Sequence, residues 1–202
     1  MLTLAIETSS PVASVALLRD DTLVAEKTIG ADSPHRGGKK RHSAELIPAV
    51  QKILTKAKVH AEKIDLWAVG LGPGSFIGIR VGIAAVQGFA IATGKPVIGV
   101  ASFHAFAIEH MRDKPLTVTL EAGRGDFYVA RYAPGHSILE TPIELLPSTS
   151  LLQHSSTPIP QAQFVAQLAR EKFLRQKRGD KLLEPIYLRE MKYKLAEPPV
   201  SL

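Results

Sequence analysis

Polar side chains directly follow an apolar run at the start of the chain. The run over residues 2–7 ends in the carboxylate of Glu7, and the hydroxyls of Thr8 and Ser9 come next. A carboxylate at a strand end could hold a metal ion or position a water, and the hydroxyls beside it could contact a nucleotide or another anion. The carboxylate could equally accept N–H bonds from the turn at residues 9–10. The residue types leave both interpretations open.

A glycine-rich turn stands between an apolar run and a long helix-forming segment, and it consists of Gly72, Pro73, Gly74 and Ser75. The run over residues 66–71 is typical of a buried strand, and the helix is predicted from near Gly78 to about Thr93. Such a turn leaves backbone N–H groups free at a helix start, where an anion could bind. It is not a Walker A loop, because residues 70–94 contain no lysine. The alternative is that the glycines only permit a sharp turn beside closely packed helices.

The predicted helix after this turn is apolar on two opposite faces. Bulky side chains recur at helical spacing at Ile79, Ile83, Val86 and Ala90. Smaller ones recur at Val81, Ala85, Gly88 and Ala92. We expect the bulky face to cover a sheet and the small face to admit another helix, from this chain or from a partner. A membrane span is not expected, because about 15 residues are fewer than the roughly 20 that a span needs.

The composition bounds the class of protein. The chain has 202 residues, which fits one domain or two small lobes, and its 45% hydrophobic and 22% charged residues are typical of a soluble globular protein. It has no cysteine, which excludes disulfides, thiol catalysis and cysteine metal sites. No signal peptide is recognised, so the cytoplasm is the predicted location. The net charge of +6 allows contact with nucleic acid, and it fits a solvated basic surface equally well.

A basic loop is predicted over residues 31–41, and its candidate phosphate contacts are Arg36, Lys39, Lys40 and Arg41. A mobile, solvated loop is the alternative. A helix is predicted after it, over residues 43–58, with Pro48 in its early turns. Its apolar stripe includes Leu46 and Val50.

The order of elements predicts the fold class. Three strands joined by short links open the chain, and strands then alternate with helices before a second hairpin begins near residue 116. Such an order predicts an α/β protein with a mixed sheet and helices packed on it. An apolar tail segment over residues 184–189 is expected to dock on the body of the protein.

Several segments together resemble the TsaB (YeaZ) family, namely residues 4–9, 42–43, 72–82, 95–100, 121–124 with 127–128, and 184–189. The resemblance implies the actin-like ATPase superfold, with ribonuclease-H-like mixed sheets in two lobes. The expected division is residues 1–100 for the N-terminal lobe and residues 101–202 for a reduced C-terminal lobe with a docked tail. It also implies a part in making threonylcarbamoyladenosine at adenosine 37 of tRNAs that read ANN codons. In that pathway the family pairs with the catalytic subunit TsaD, and TsaE joins with ATP.

Two departures from the expected patterns bear on chemistry. The family usually has threonine where this chain has Ile77, so one hydroxyl is missing at the glycine-rich turn. The catalytic relative TsaD carries two metal-binding histidines whose positions here hold Ser102 and Phe106. The resemblance therefore implies a chain without a metal site and without catalytic residues. ATP and metal are expected on the partner subunits, with no cofactor in the isolated chain.

The resulting hypothesis is a non-catalytic subunit that binds TsaD through its two N-lobe helices. The predicted interface residues are Leu46, Val50, Val81, Ala85, Gly88 and Ala92. A homodimer through the same face is expected when TsaD is absent, and tRNA is expected to bind through the complex. The rival hypotheses are a phosphotransferase or ATPase of the same superfold, a tRNA-binding module that also uses the cations of residues 170–178, and, ranked last, a protease.

Overall fold

The computed structural model describes residues 1–30, 38–110, 114–134, 138–147 and 159–188, and side chains within the first helix from residue 44 onward. The chain opens with a three-stranded antiparallel meander of β1 (Leu2–Glu7), β2 (Ala13–Arg19) and β3 (Thr22–Ile29). The alternation of side chains in β1 places Leu4 and Ile6 on one face of the sheet and Ala5 on the other. Both faces are therefore buried.

Two parallel strands complete this first sheet. After α1 (Gly38–Ala57) and a 3₁₀ turn (Ala61–Lys63), the chain forms β4 (Leu66–Gly70), α2 (Phe76–Thr93) and β5 (Val97–Val100). The strand order is β3-β2-β1-β4-β5, with β4 parallel to both β1 and β5. This is the ribonuclease-H-like mixed sheet that the sequence predicts, so the predicted fold class is confirmed.

The helices α1 and α2 cover one face of the sheet. The bulky face of α2 is buried as predicted, with Ile79, Ile83 and Val86 in the same cluster as Trp67 of β4. Helix α1 begins five residues earlier than predicted, which puts Pro48 in its middle rather than in its early turns. The helix tolerates it because Pro48 and Ala44 are both exposed, so the carbonyl that loses its N–H partner can reach water.

The opposite face of the sheet is covered by α4 (Ala162–Gln176), with α3 (Ser102–His110) beside it. Small and branched side chains of α4, such as Val165, Ala166 and Leu168, pack against Ala5 and Ala68. A second sheet with strand order β6-β7-β8 follows α3 and comprises β6 (Leu116–Gly123), β7 (Asp126–Tyr132) and β8 (Glu144–Pro147). Although α4 follows this second sheet in the chain, it packs on the first one. The division of the chain at residue 100 stays a prediction.

The segment after α4 docks along β5 and the glycine-rich turn. The Asp180 N–H donates to the Val97 carbonyl, and the Asp180 carboxylate accepts the Gly99 N–H at 2.9 Å. Further on, the Ile186 N–H donates to the Leu71 carbonyl, and Leu183 is buried in the core. We call residues 179–188 the strap. Because β5 is an edge strand, the strap covers backbone groups that would otherwise be open.

Helix α2 passes a test that the sequence analysis expected it to fail. It has 18 residues rather than about 15, and among the described residues it is the one helix long and apolar enough to cross a membrane. It also joins two neighbouring parallel strands and buries its bulky face on their sheet, which is the packing of a crossover helix. Of its residues 33% are buried, and the exposed ones include Ile77 and Ile91.

Candidate interaction face and the glycine-rich turn

The carboxylate of Glu7 is held entirely inside the protein. Glu7 ends β1 and is fully buried. The Ser9 N–H donates to one of its oxygens at 2.6 Å, and the Ser102 hydroxyl donates to the other at 2.7 Å. Ser102 in turn accepts the Gly72 N–H at 3.1 Å. Of the two interpretations open for Glu7, the structure shows the second, in which it accepts bonds from its own turn.

Burial dominates the electrostatics of Glu7. Desolvation raises its pKa, and the hydrogen bonds from Ser9, Ser102 and Thr8 oppose this by favouring the carboxylate. A β-carbon at Gly70 would collide with this carboxylate, so β4 must have glycine opposite it. These contacts make Glu7 a link between β1, β4 and the start of α3.

The glycine-rich turn is closed on the loop that follows β1. The Ser75 N–H donates to the Ser9 carbonyl at 2.6 Å, and the Thr8 hydroxyl donates to the Gly78 carbonyl at 2.8 Å. The Ser75 hydroxyl caps α2 by accepting the Gly78 N–H at 3.3 Å. A β-carbon at Gly78 would collide with the Thr8 carbonyl, which shows how closely the two segments approach.

Two of the N–H groups that an anion at this turn would need are already bonded within the chain. A phosphate at a helix start needs free N–H groups pointing at it, and those of Ser75 and Gly78 are already bonded within the chain. Glu7, Thr8 and Ser9 were the predicted contacts, and they are buried and bonded to one another and to the turn. The glycines therefore serve close packing here, which was the alternative interpretation.

The outward face of α2 is an apolar stripe. Its residues follow helical spacing and are all exposed: Ile77, Arg80, Ala84, Gly88 and Ile91. Ile77 is 56% exposed and Ile91 83% exposed, and a β-carbon placed on Gly88 would meet nothing within 4 Å. We call these five residues the α2 stripe. Large exposed aliphatic side chains aligned on one helix face are typical of a protein–protein interface.

The predicted interface residues need correction at several positions. Leu46 and Val50 of α1 are 1% and 0% exposed, because they face the sheet and belong to the core. Val81 and Ala85 are half-buried and pack against the same core. Gly88 and Ala92 are exposed as predicted. The surface that α2 offers is thus rotated about one residue around the helix from the predicted one.

An aromatic and cationic cluster extends the α2 stripe at its start. The Arg80 guanidinium lies 3.8 Å from the centre of the Phe76 ring and 5.9 Å from that of Tyr187 in the strap. The two rings are 5.1 Å apart. The sequence analysis missed this cluster, although Phe76 and Arg80 stand four residues apart on a helix, which is a usable signal.

The positions that correspond to metal-binding histidines in the catalytic relative have other roles here. Ser102 bonds to Glu7, and Phe106 is buried and stacks on the His110 ring at 3.9 Å. Nearby, His104 Nδ1 lies 2.8 Å from the Tyr132 hydroxyl, and burial lowers the pKa of His104 to about 4. In the described part of the chain, no three His, Asp or Glu residues are grouped so as to hold a metal ion.

The two predicted basic regions are the loop of residues 31–41 and the cations of residues 170–178. Arg36 lies outside the described residues, as do the side chains of Lys39, Lys40 and Arg41. In α4, by contrast, three cations are paired with carboxylates of the same chain: Arg170 with Asp21 at 3.0 Å, Lys172 with Asp180 at 2.9 Å and Arg175 with Glu140 at 3.2 Å. These pairs leave α4 a weaker candidate for tRNA phosphates.

Comparison with known proteins identifies the family. A family model described as TsaD, tRNA N6-adenosine threonylcarbamoyltransferase, matches residues 34–178, which is more than half of the 202 residues. The chain belongs to the TsaD family. Within it, the resemblance to TsaB (YeaZ) is confirmed. TsaB from Escherichia coli is 34% identical over 135 residues, or 65% of this chain and 55% of that protein. TsaB from Bacillus subtilis is 30% identical over 141 residues, or 69% of this chain and 58% of that protein.

The alignments set the reach of this family assignment. The chain spans a little over half the length of these TsaB relatives. YeaZ from Pseudomonas aeruginosa has a TM-score of 0.76 and 22% identity, with 93% of this chain and 99% of that chain covered. A second Pseudomonas aeruginosa structure, described as similar to the peptidase YeaZ, has a TM-score of 0.77 and 23% identity. These two structures bear on the fold of the TsaB-like chain and not on its activity.

Proposed function

We propose that this chain is a non-catalytic subunit in the biosynthesis of threonylcarbamoyladenosine at adenosine 37 of tRNAs that read ANN codons. In this proposal it binds the catalytic subunit TsaD along α2 and supports the active form of TsaD. The observation that carries the proposal is the exposed α2 stripe, with Ile77 and Ile91 at its ends and Ala84 and Gly88 between them.

The proposed lack of catalysis is supported by the contacts at the end of β1 and at the start of α2. The acid at the end of β1 is turned inward and bonded to Ser9 and Ser102. The start of α2 is closed by the loop after β1. A group that is fully buried and bonded within the protein does not reach a substrate. ATP and metal belong, in this proposal, to the partner subunits TsaD and TsaE.

Binding along α2 is supported by the shape and chemistry of its outward face. Small side chains at Ala84 and Gly88 let a second helix approach closely, and the isoleucines on either side would bury apolar area against it. The stripe covers four turns of helix, which is enough for the helix-in-groove or helix-on-helix contacts that partner proteins use. A homodimer through the same face is the proposed state in the absence of TsaD, in the cytoplasm.

The test is co-elution of the full chain with purified TsaD from the same source. A double variant, Ala84→Leu with Gly88→Leu, should abolish the complex, because two leucines at the centre of the stripe hold the partner helix away. The matched control is Glu171→Leu, which places the same side chain on the exposed face of α4. We expect that control to elute with TsaD as the unmodified chain does.

The outcomes separate the proposal from its rivals. Failure of the unmodified chain to bind TsaD would overturn the proposal, and so would an undisturbed complex with the double variant. The phosphotransferase or ATPase alternative predicts that the isolated chain binds ATP, which the contacts at Ser75 and Gly78 argue against. Equilibrium dialysis with labelled ATP would decide that question.

A further inference from the structure

We infer that Arg80 selects the partner of the α2 stripe, by pairing with a carboxylate on a helix of a different subunit. The inference rests on the proposed function and adds the chemistry of the partner to it. Arg80 is exposed and lies in the stripe between Ile77 and Ala84. A helix packed along the stripe would therefore meet the guanidinium directly.

The Arg80 side chain is oriented by an aromatic ring, and no carboxylate of the described residues pairs with it. The Arg80 guanidinium lies over the Phe76 ring at 3.8 Å, and the Tyr187 ring, 5.9 Å from it, packs beside Phe76. Within the described ranges, no ion pair or hydrogen bond engages its N–H groups, whereas three cations of α4 are paired. An exposed guanidinium stacked on one aromatic ring keeps its N–H donors available, and their planar fork suits a carboxylate.

Helix α2 offers no such carboxylate to a second copy of the chain, and the strap beside it carries one exposed acid, Glu184. Residues 66–108 contain no Asp or Glu, so packing α2 against α2 brings nothing to pair with Arg80. Helix α1 beside it carries a single acid, Glu45, against Lys39, Lys40, Arg41, Lys52 and Lys56. Packing α2 against α2 therefore gives Arg80 no acid from either copy of that helix, and a second copy is the poorer occupant.

The chemistry of the better occupant follows from these positions. It is an α-helix with small or aliphatic side chains opposite Gly88 and an Asp or Glu opposite Arg80. Arg80 and Gly88 are eight positions apart, which corresponds to about 12 Å along the helix. The apolar contact would supply affinity, and the carboxylate would fix register and exclude helices that lack it.

The experiment measures binding of the full chain to purified TsaD by titration calorimetry at two salt concentrations. Removing one partner of a desolvated interfacial charge pair costs roughly thirtyfold in Kd or more, so we expect that loss for Arg80→Gln and a larger one for Arg80→Glu. The control is Arg178→Glu, an exposed cation beyond α4, for which we expect a change within about twofold. Sedimentation of the isolated Arg80→Glu chain should show self-association at least as strong as that of the unmodified chain.

Loosening of the strap has to be distinguished from loss of the carboxylate contact. In the second arm, each Asp and Glu on the TsaD helices is changed to Lys in turn and tested against Arg80→Glu. Recovery of binding with one of these changes supports the inference, and recovery with none overturns it. Arg80→Glu could bind TsaD as the unmodified chain does, while Ala84→Leu with Gly88→Leu abolishes the complex. That outcome overturns the role of Arg80 and leaves the proposed function intact. Loss of self-association in Arg80→Glu would assign Arg80 to the homodimer and overturn the inference as well.

Discussion

The helices α2 and α4 lie on opposite faces of the same sheet and are treated differently by the rest of the chain. Each buries one apolar face, α2 with Ile79 and Val86 and α4 with Val165 and Leu168. On its outer side α4 carries cations that the chain pairs with its own carboxylates. The outer side of α2 carries exposed isoleucines and an arginine that no described carboxylate meets.

The outer faces of α4 and α2 differ in whether they would gain stability from a partner protein. Paired charges on an outer helix face are stable in water without another protein. A stripe with Ile91 83% exposed leaves apolar area in water that a partner helix would bury. The first turn of α2 is nevertheless held to the loop after β1, through the Ser75 N–H and the Thr8 hydroxyl. Only its outward face is open, which is why the proposals concern that face.

Changing an alanine to leucine on each of the two helices tests the difference between α2 and α4 most directly. Ala166→Leu enlarges a side chain of α4 that is 0% exposed, and overpacking of this kind costs about 1–3 kcal/mol. For a protein of this size we expect its melting temperature to fall by about 2–12 °C. Ala84→Leu on α2 adds the same atoms to an exposed position, so we expect a change within about 1 °C, given the small difference in helix propensity between the two residues.

Both melts need several protein concentrations, because self-association through α2 would itself raise the melting temperature. A large fall for Ala84→Leu in dilute solution would show that the α2 stripe is packed within the chain. An unchanged melt for Ala166→Leu would show that α4 is not pressed against the sheet.

The sequence was sufficient for the fold and for the buried face of α2, because both rest on local periodicity. It could not determine which of the remaining faces is open. One residue corresponds to about 100° around a helix, and because Val81 and Ala85 pack against the core, the open face lies at the neighbouring Ala84. Leu46 and Val50 were placed wrongly for a related reason, since an apolar stripe on α1 serves the core first.

The role of Glu7 was also beyond local reasoning. Whether its carboxylate faces a ligand or the protein depends on Ser102, which is 95 residues away in the sequence. The cluster of Phe76, Arg80 and Tyr187 likewise joins α2 to the far end of the chain. The spacing of Phe76 and Arg80 could have revealed that pair, whereas the contacts of Ser102 and Tyr187 leave no periodic pattern in the sequence.

The comparison is sharpened by testing how the base of α2 is held. Glu7→Ala removes the acceptor of the Ser9 N–H and the Ser102 hydroxyl in a fully buried site, and we expect a loss of about 1–3 kcal/mol in unfolding free energy. Glu7→Gln keeps the shape and one acceptor oxygen, so we expect a smaller loss. Denaturant unfolding followed by circular dichroism measures both.

The pH dependence of stability in the Glu7→Gln variant tests the direction in which the pKa of Glu7 is shifted. Burial raises the folded-state pKa of Glu7, so its contribution to stability is present in full below the ordinary glutamate value of about 4.3 and is lost as pH rises through the folded-state pKa. Glutamine does not titrate. The stability of the variant relative to the unmodified chain should therefore improve as pH rises across that window, and a constant difference would contradict the raised pKa.

The smallest expected effect concerns the outer face of α4. Arg175 and Glu140 form an ion pair at 3.2 Å with side chains 49% and 71% exposed. Exposed pairs contribute little because water screens them and two long side chains lose freedom, so Arg175→Ala should change unfolding free energy by less than about 0.5 kcal/mol. A double-mutant cycle with Glu140→Ala isolates the pair from other effects of each substitution. A coupling well above that bound would mean that α4 depends on its outer charges for its place on the sheet. A small coupling would show that the ion pair on α4 does not stabilise the fold. If Arg175→Ala also leaves binding to TsaD unchanged, Arg80 on α2 remains the cation whose removal alters binding.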